Sequence, residues 1–467
     1  MNQQNSSKLL VNQAVNLLQD SHNKVKYPGY SNRLNWISTI EKIVLENHVE
    51  ISKRISQDFI NRSVDETYIT EVLPVISAAK HAKKNLKRWM KRKRVSTNPI
   101  FWFGSSSILP QPLGVVAIIS PWNYPLQLSL IPSINALSAG NRVLIKPSEK
   151  TPCFSLFLEQ LISSHFEKSV IQIINGDLGV SKEISCCANL DHIFFTGSTN
   201  AGREIAVSAA KNLIPITLEL GGKSPTYISE SADLKDSARR VARAKFLNCG
   251  QTCIAPDYVL VHESHKNNFI EIFLKEASEL YINTDSKKNV THLLNFSEIS
   301  RIKQLEDDAI LKGATIFVAS KSKQSIKVII NCKDNMKLMT EEIFGNLLPV
   351  IFIKSSDDAI DYVNARSKPL AIYLFGKDAL ELNKWLRNTS SGGVTINDCI
   401  LHVAQDNLPF GGIGKSGFGH YHGVWGFNNF SKLKPIFTNS KISFVGFFMP
   451  PFGKIFNKFV KYLRYFI

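Results

Sequence analysis

Four short segments hold side chains whose types and spacing are suited to chemistry. In LNCGQTCIAPDY, residues 247–258, Cys253 stands among small and polar residues between Gly250 and Pro256. A thiol placed there is a candidate nucleophile, because the thiolate is the reactive form and covalent catalysis needs it. The competing role is a buried structural thiol, and the presence of Cys249 in the same segment keeps cysteine alone from deciding. In LELGGKSP, 218–225, Glu219 closes an apolar β-like run. Sheet interiors rarely hold a carboxylate unless it is paired or acts as a base. A salt bridge with a lysine is the alternative. In ISPWNYPLQL, 119–128, Pro121 and Pro125 bracket Trp122, Asn123 and Tyr124. A rigid turn of that kind would offer the Asn123 amide to a developing oxyanion, although Asn is also an ordinary turn residue. In HIFFTGSTNAGREI, 192–205, an apolar run ends at Gly197 and Gly202 opens a helical pattern. Small residues at a helix N-terminus let backbone N–H groups approach a phosphate. The segment is not the G-x-G-x-x-G fingerprint, and many strand–helix loops bind nothing.

The elements that must position these groups are legible as alternating patterns. Residues 1–60 have apolar residues at helical spacing, and 64–94 reads as another long helix with a kink at Pro74. From residue 113, GVVAIIS, NRVLIKPS, VIQIING, HIFFTG and ITLELGG are short β-rich runs separated by helical stretches. A second series, PTYIS, YVLVH, KVIIN and AIYLF, begins near residue 220. Strands alternating with helices indicate parallel sheets, here two α/β domains with no flexible linker between them. The chain of 467 residues is long enough for this and needs neither disulfides nor metals to bury its cores. The seven cysteines include no C-x-x-C pair, which excludes a zinc ribbon and suits a reducing compartment.

The net charge of +17 is not spread evenly. Residues 80–94 hold nine bases and no acid, and residues 407–467 hold eight bases and no acid, so these two islands account for the whole excess. A neutral body with two basic patches argues for local contact with something anionic, or for two solvated faces, rather than for a nucleic-acid-binding domain. No RNA-binding aromatic signature or helix-turn-helix pattern is present, and no nucleic-acid partner is expected. The C-terminal segment 454–467 places Lys454, Lys458, Lys461 and Arg464 within an arc of about 120° and its bulky apolar residues opposite, the pattern of an interfacial helix. No window has the ~18 apolar residues of a membrane span, and the N-terminus lacks a signal-peptide pattern. A cytoplasmic protein is the expectation, with peripheral attachment at a membrane surface through the tail as a further option.

Taken in order, ISPWNYP, KPSEKTP, FTGSTNAG, LELGGKSP, GQTCIAPDY, EEIFG and LPFGGIGKSG strongly resemble the aldehyde dehydrogenase superfamily, over roughly residues 5–435. The PWNYP and GQTCIAPDY wording resembles the class 3 branch, which includes fatty, aromatic and coniferyl aldehyde dehydrogenases. The resemblance implies oxidation of an aldehyde to an acid through a cysteine thiohemiacetal and thioester, with NAD or NADP taking the hydride. It implies Cys253 as nucleophile, Asn123 as oxyanion donor and Glu219 as the base that activates the deacylating water. It implies Lys146 and Glu149 at the adenine ribose, Gly197, Ser198 and Gly202 at the pyrophosphate, and Glu342 and Phe344 at the nicotinamide ribose and ring.

The same resemblance implies a Rossmann-type cofactor domain (1–90 and 115–219), a catalytic domain (220–403), a small β oligomerisation arm (91–114 and 404–435) that makes a homodimer, and a basic tail (436–467). The family's usual Pro after EEIFG is replaced by Asn346, which is expected to loosen the loop carrying Phe344. Cys249 is expected to be a small buried residue, with a reversible disulfide to Cys253 as the alternative. His402, His420 and His422 lack ligand spacing, so they are read as structural and no metal is expected. Transfer of the acyl group to coenzyme A is the variant chemistry, which a hydrolytic Glu219 argues against.

Overall fold

The computed structural model describes residues 2–98, 101–282, 289–441, 449–450, 452–453 and 456. Its strands, in chain order, are β1 (Lys93–Val95) and β2 (Ser105–Pro112); β3 (Val115–Ile119), β4 (Arg142–Lys146), β5 (Ile171–Ile173), β6 (His192–Gly197) and β7 (Ile216–Leu220); β8 (Pro225–Ile228), β9 (Tyr258–His262), β10 (Thr315–Val318), β11 (Lys327–Ile330), β12 (Leu347–Ile353), β13 (Ala371–Phe375) and β14 (Gly393–Ile396); and β15 (Gly417–Phe418) and β16 (Ser431–Thr438). Among the described residues they form three sheets. A six-stranded sheet has the order β15-β7-β6-β3-β4-β5, a seven-stranded sheet β10-β11-β12-β9-β8-β13-β14, and a small one β1-β2-β16. The first two are parallel except at their edge pairs β15–β7 and β10–β11. Two parallel α/β sheets plus a small antiparallel arm is the architecture expected from the sequence.

The six-stranded sheet shows why its runs are continuously apolar. β3 and β4 are buried at every residue, as a parallel sheet covered on both faces requires. Alternate side chains go to opposite cores. Val116, Ile118, Val143 and Ile145 join Ile37, Val44, Leu86 and Leu130 of the helices Tyr30–Asp58, Leu73–Trp89 and Pro125–Ala139. Val115, Ala117, Ile119 and Leu144 meet Val11, Val15 and Leu18 of the first helix, Asn2–Lys24.

Two local expectations change. The segment read as 64–94 is one continuous helix from Val64 to Trp89, ending short of 94, and a wide π turn at Tyr68–Val72 directly before Pro74 takes the place of the expected kink. β12 escaped notice because Pro349 interrupts it. That strand pairs with β11 over Leu347–Pro349 and with β9 over Val350–Ile353, so the proline stands where the ladder changes sides. β16 also runs to Thr438, past the residue at which the tail was expected to begin. The amphipathic segment 454–467 lies, apart from Phe456, outside the described residues.

Candidate active site

Cys253 follows a tight reversal. After the helix Leu234–Phe246, Asn248, Cys249 and Gly250 have φ of 49°, 54° and 75° in succession. At Gly250 a Cβ would lie 2.2 Å from the Gly345 carbonyl oxygen, so the glycine of GQTC is a steric requirement. Gln251 then fixes the loop. Its Nε2 donates to the Asn248 and His292 carbonyls at 2.8 and 3.0 Å, and its Oε1 accepts from Leu294 N at 2.8 Å. Lys245 Nζ donates to the Pro256 carbonyl at 2.9 Å. The reversal separates the two thiols. Cys253 lines a cavity of about 370 Å³, whereas Cys249 is buried in a cluster with Leu293, Ile302 and Met339, its Sγ 3.6 Å from Gln324 Oε1. This is the small buried residue expected of Cys249.

Asn123 is buried in the turn before the helix Pro125–Ala139. Its Nδ2 donates to the Gln251 carbonyl at 3.1 Å, which uses one of two amide hydrogens and ties it to the cysteine loop. Its carbonyl accepts from Asn248 Nδ2 at 2.9 Å and from Arg62 Nη1. Arg62 is fully buried, and its Nη2 lies 3.0 Å from Glu71 Oε1. Glu71 Oε2 in turn accepts from Leu126 N at 2.7 Å and Gln127 N at 3.3 Å, where a carboxylate suits the helix N-terminus. Glu66 Oε1 accepts from Asn248 N at 2.7 Å. Burial pushes Glu71 up to about 7 in spite of Arg62.

Arg62, Glu66 and Glu71 thus brace both loops of the site, and nothing in the one-dimensional pattern of NRSVDETYITEV marked them. Arg62→Met should cost about 3–5 kcal/mol of stability, because it leaves the buried Glu71 without its cationic partner and removes a donor from the Asn123 carbonyl. Denaturant unfolding of Arg62→Met against the double change Arg62→Met/Glu71→Leu checks this, with the double expected to recover part of the loss. A single variant within about 1 kcal/mol of the parent would contradict it.

Glu219 lies on β7 opposite Thr196 of β6 and Gly417 of β15. It is buried, and neither carboxyl oxygen has a hydrogen-bond partner. Burial therefore raises its pKa well above the ordinary range. Among the described residues the salt bridge weighed from the sequence is not made. The Cys253 thiol is pushed up to about 12, first by desolvation and then by the negative charges of Glu342 and Glu219, so both carboxyls lie within electrostatic reach of the sulfur. Backbone N–H groups of Cys253 and Ile254 work in the opposite direction.

The cavity at Cys253 is lined mainly by apolar groups, among them Leu73, Leu128, Ile131 and Phe410, with Tyr124, Thr252, Asp406 and His422 as polar points. Tyr124 Oη and Thr252 Oγ1 are 2.6 Å apart. Two of the three histidines, His402 and His422, are embedded in packing, and His420 is exposed. His402 contacts Thr395 Oγ1 at 2.8 Å through Nδ1, His402 and His422 stack on Phe410, and burial pushes both down to about 4. His420 packs on Trp425.

A second cavity, about 550 Å³, is lined by Glu342, Gly221, Lys223, Lys415 and Thr199, the first residue of the helix Thr199–Ala210. Lys146, at the end of β4, is buried and donates to Glu149 Oε2 at 2.7 Å. Burial alone would raise Glu149, but the Lys146 hydrogen bond and charge hold it below the usual range. Ser198 caps the helix Thr199–Ala210 through Ala201 N, and a Cβ on Gly202 would lie 2.5 Å from Leu220 Cδ2, so that glycine serves close helix–sheet packing. Glu342 folds over Gly221, where a Cβ would lie 2.1 Å from its Oε2, and burial pushes it up to about 8.

Phe344 has φ 46° and packs edge-on against Trp122 at 5.5 Å. Arg301 Nη2 donates to the carbonyls of Ile343 and Phe344 at 2.8 and 3.1 Å. Asn346 does not loosen this loop. It is buried, its Nδ2 donates to the Ser325 carbonyl at 2.8 Å, and its own carbonyl accepts from Lys327 N at 2.9 Å.

Residues 2–436 match the aldehyde dehydrogenase family. The chain is 41% identical over 437 residues to the probable coniferyl aldehyde dehydrogenase of Pseudomonas aeruginosa, covering 93% of this chain and 92% of that one. It is 37% identical to aldehyde dehydrogenase family 3 member A2 of Pongo abelii, covering 87% and 84%. Among solved structures, the substrate-bound state of Staphylococcus aureus AldH matches with a TM-score of 0.92 at 33% identity, covering 97% of this chain and 99% of that one. The chain belongs to the aldehyde dehydrogenase family, in its class 3 branch, and is an enzyme that oxidises aldehydes to carboxylic acids with NAD or NADP.

Proposed function

We propose that Cys253 is the nucleophile, Asn123 and the Cys253 backbone N–H the oxyanion donors, and Glu219 the deacylating base, acting on apolar aldehydes of medium or long chain or with an aromatic ring. The observation that carries this reading is the pairing of a thiol at an apolar cavity with an unpaired, desolvated carboxyl whose charge reaches it. The thiolate adds to the aldehyde carbon and the resulting alkoxide is held by the remaining Asn123 amide hydrogen. Such a donor is worth roughly 3–4 kcal/mol. Loss of hydride leaves a thioester on Cys253. Glu219 then takes a proton from water as the water attacks, and the acid leaves with return of the proton to sulfur.

The second cavity fits the dinucleotide. Glu342 is an acceptor for a ribose hydroxyl, and Lys415 with the N-terminus of the helix Thr199–Ala210 suits a pyrophosphate. Gly197 and Ser198 lead into that helix, Lys146 and Glu149 would hold the adenine ribose, and Phe344 would flank the ring. Bound there, NAD or NADP supplies the hydride acceptor.

In this reading the six-stranded unit (1–90 and 115–219) is the cofactor domain and 220–403 the catalytic domain. The arm (91–114 and 404–435) joins a partner's sheet in a homodimer. The protein is cytoplasmic, with the basic tail from 436 reaching an anionic membrane surface. A panel of straight-chain, aromatic and hydroxycinnamyl aldehydes, with each cofactor, tests the substrate assignment. Free acid is expected without coenzyme A, and the highest kcat/KM is expected for the apolar members. Accumulation of acyl-coenzyme A, or a preference for small polar aldehydes, would overturn the reading.

A further inference from the structure

The reaction at Cys253 leaves one charged group of its cavity unused, Asp406. Two walls of that cavity come from segments far apart in the chain. One is the start of the helix Leu73–Trp89, where Leu73 and Pro74 stand one turn before Ser77 and all three line the cavity. The other is the loop after the short helical turn Leu401–Ala404, which carries Asp406. Ser77 Oγ donates to Asp406 Oδ2 at 2.7 Å, so a hydrogen bond joins the two walls.

The loop holds this carboxylate in place. Gly423, at φ 48°, approaches so closely that a Cβ there would lie 2.3 Å from the Asp406 carbonyl oxygen. Trp425 Nε1 donates to the Asn407 carbonyl at 3.3 Å, and Leu408 N donates to the Gln405 carbonyl at 3.0 Å. Tyr124 and Thr252, bonded to each other, mark the buried end beside Cys253, whereas the half-buried Asp406 belongs to the outer end. Asp406 makes no ion pair among the described residues. No lysine or arginine lines the cavity. His422, which does, is neutral because burial pushes it down to about 4. A mainly apolar channel thus carries one negative charge with no cation facing it.

We propose that Asp406 sets the substrate class at the far end of the channel: it rejects aldehydes that carry a second, anionic group and accepts a hydrogen bond from a hydroxyl remote from the aldehyde carbon. Like charges repel far more strongly in a weakly polar channel than in water. The carboxylate is an acceptor at both oxygens, and Ser77 uses only Oδ2. The inference rests on the reading of Cys253 as the nucleophile of this cavity acting on apolar aldehydes, and it deepens that reading. Chains that end in a methyl group, an ester or a hydroxyl enter, and ω-oxo acids are excluded.

The test compares methyl 9-oxononanoate, 9-oxononanoic acid and 9-hydroxynonanal as substrates of the full-length enzyme at saturating cofactor. In the parent, kcat/KM for the acid should lie at least about 30-fold below that for the ester, with the difference carried by KM. The gap should narrow as salt rises. Asp406→Asn removes the charge and keeps an acceptor oxygen, so it should narrow the acid-to-ester gap by about tenfold and leave the hydroxy-to-ester ratio at the parental value. Asp406→Ala removes both and should also lower the hydroxy-to-ester ratio by about fivefold. Glu271→Gln makes the same change in net charge at an exposed position away from the cavity and should leave both ratios as in the parent. Each ratio is read within one enzyme, so partial unfolding of a variant cancels. A parent that oxidises acid and ester alike, or an Asp406→Asn enzyme with the parental gap, overturns the proposal while the reading of the site stands. A gap that Glu271→Gln narrows as much as Asp406→Asn assigns the effect to net charge and overturns it too. A parent that turns over glycolaldehyde and none of the three nine-carbon aldehydes overturns the reading of the site itself.

Discussion

Cys253→Ala is expected to reduce aldehyde oxidation by about 10⁴-fold or more, because the covalent intermediate has no other atom on which to form. The neighbouring Cys249→Ala should keep most of the activity. Its sulfur is packed in the cluster with Leu293, Ile302 and Met339 and does not line the cavity. The high affinity of the Cys253 thiol for its proton, held near 12 by desolvation and by Glu342 and Glu219, adds a pH signature. A larger fraction is thiolate as pH rises, so the rate of the first chemical step should climb through the neutral range. Single-turnover kinetics of parent, Cys253→Ala and Cys249→Ala across pH measure both effects. A Cys253→Ala enzyme that turns over near the parental rate would remove the thiol from the mechanism.

Glu219→Gln should separate the two halves of the reaction and stabilise the fold. Hydride loss needs no water, so the variant should release a burst of reduced cofactor, about one per active site, and then stall by about 10²–10⁴-fold as the thioester accumulates. In the parent, Glu219 is buried with no partner at either oxygen, and its folded pKa is raised. A raised carboxyl binds its proton more tightly in the folded state than in the unfolded state. Its ionisation therefore costs stability progressively as pH rises above the ordinary value of 4.5. Glutamine carries no charge and avoids that ionisation cost. The thermal midpoint of Glu219→Gln should exceed the parent's at pH 7–8 and converge on it below about pH 4.5. Stopped-flow absorbance of the reduced cofactor and calorimetry at two pH values read the two effects. A variant with no burst would place Glu219 before hydride loss, and equal midpoints at pH 8 would mean that the carboxyl finds a partner.

Most of the architecture was open to a linear reading because parallel strands covered on both faces are short continuous apolar runs. β3, β4, β6, β7, β8, β9, β11 and β13 all correspond to such runs. β12 was hidden by Pro349, β1 and β16 by their largely exposed, basic sequences, and β2 by its prolines and by buried positions, Ser107, Pro110 and Pro112, that do not read as an apolar run. The wide turn at Tyr68–Val72 was hidden too, since nothing in residue type marks a single π turn inside a helix.

The sequence by itself offered the candidate groups and, through the resemblance, the chemistry: a cysteine shortly after a glycine, a carboxylate in a β-like run, and an amide between two prolines. These are local demands, imposed by steric fit and by what the reaction needs, so short motifs carry them. Only the tertiary structure decided which groups hold those residues in place. Arg62 and Glu71 are contributed by a segment far from both Asn123 and Gln251 in sequence, and their union depends on helix packing that leaves no trace in spacing. The same holds for Cys249 and Cys253, of which a run of three positive φ angles sends the first into a packed apolar cluster and the second to the cavity. It holds as well for parts of the two basic islands, Lys93 and Arg94 of one and Lys432 and Lys434 of the other, which share a sheet only because β16 returns beside β2, a long-range pairing that no local pattern sets.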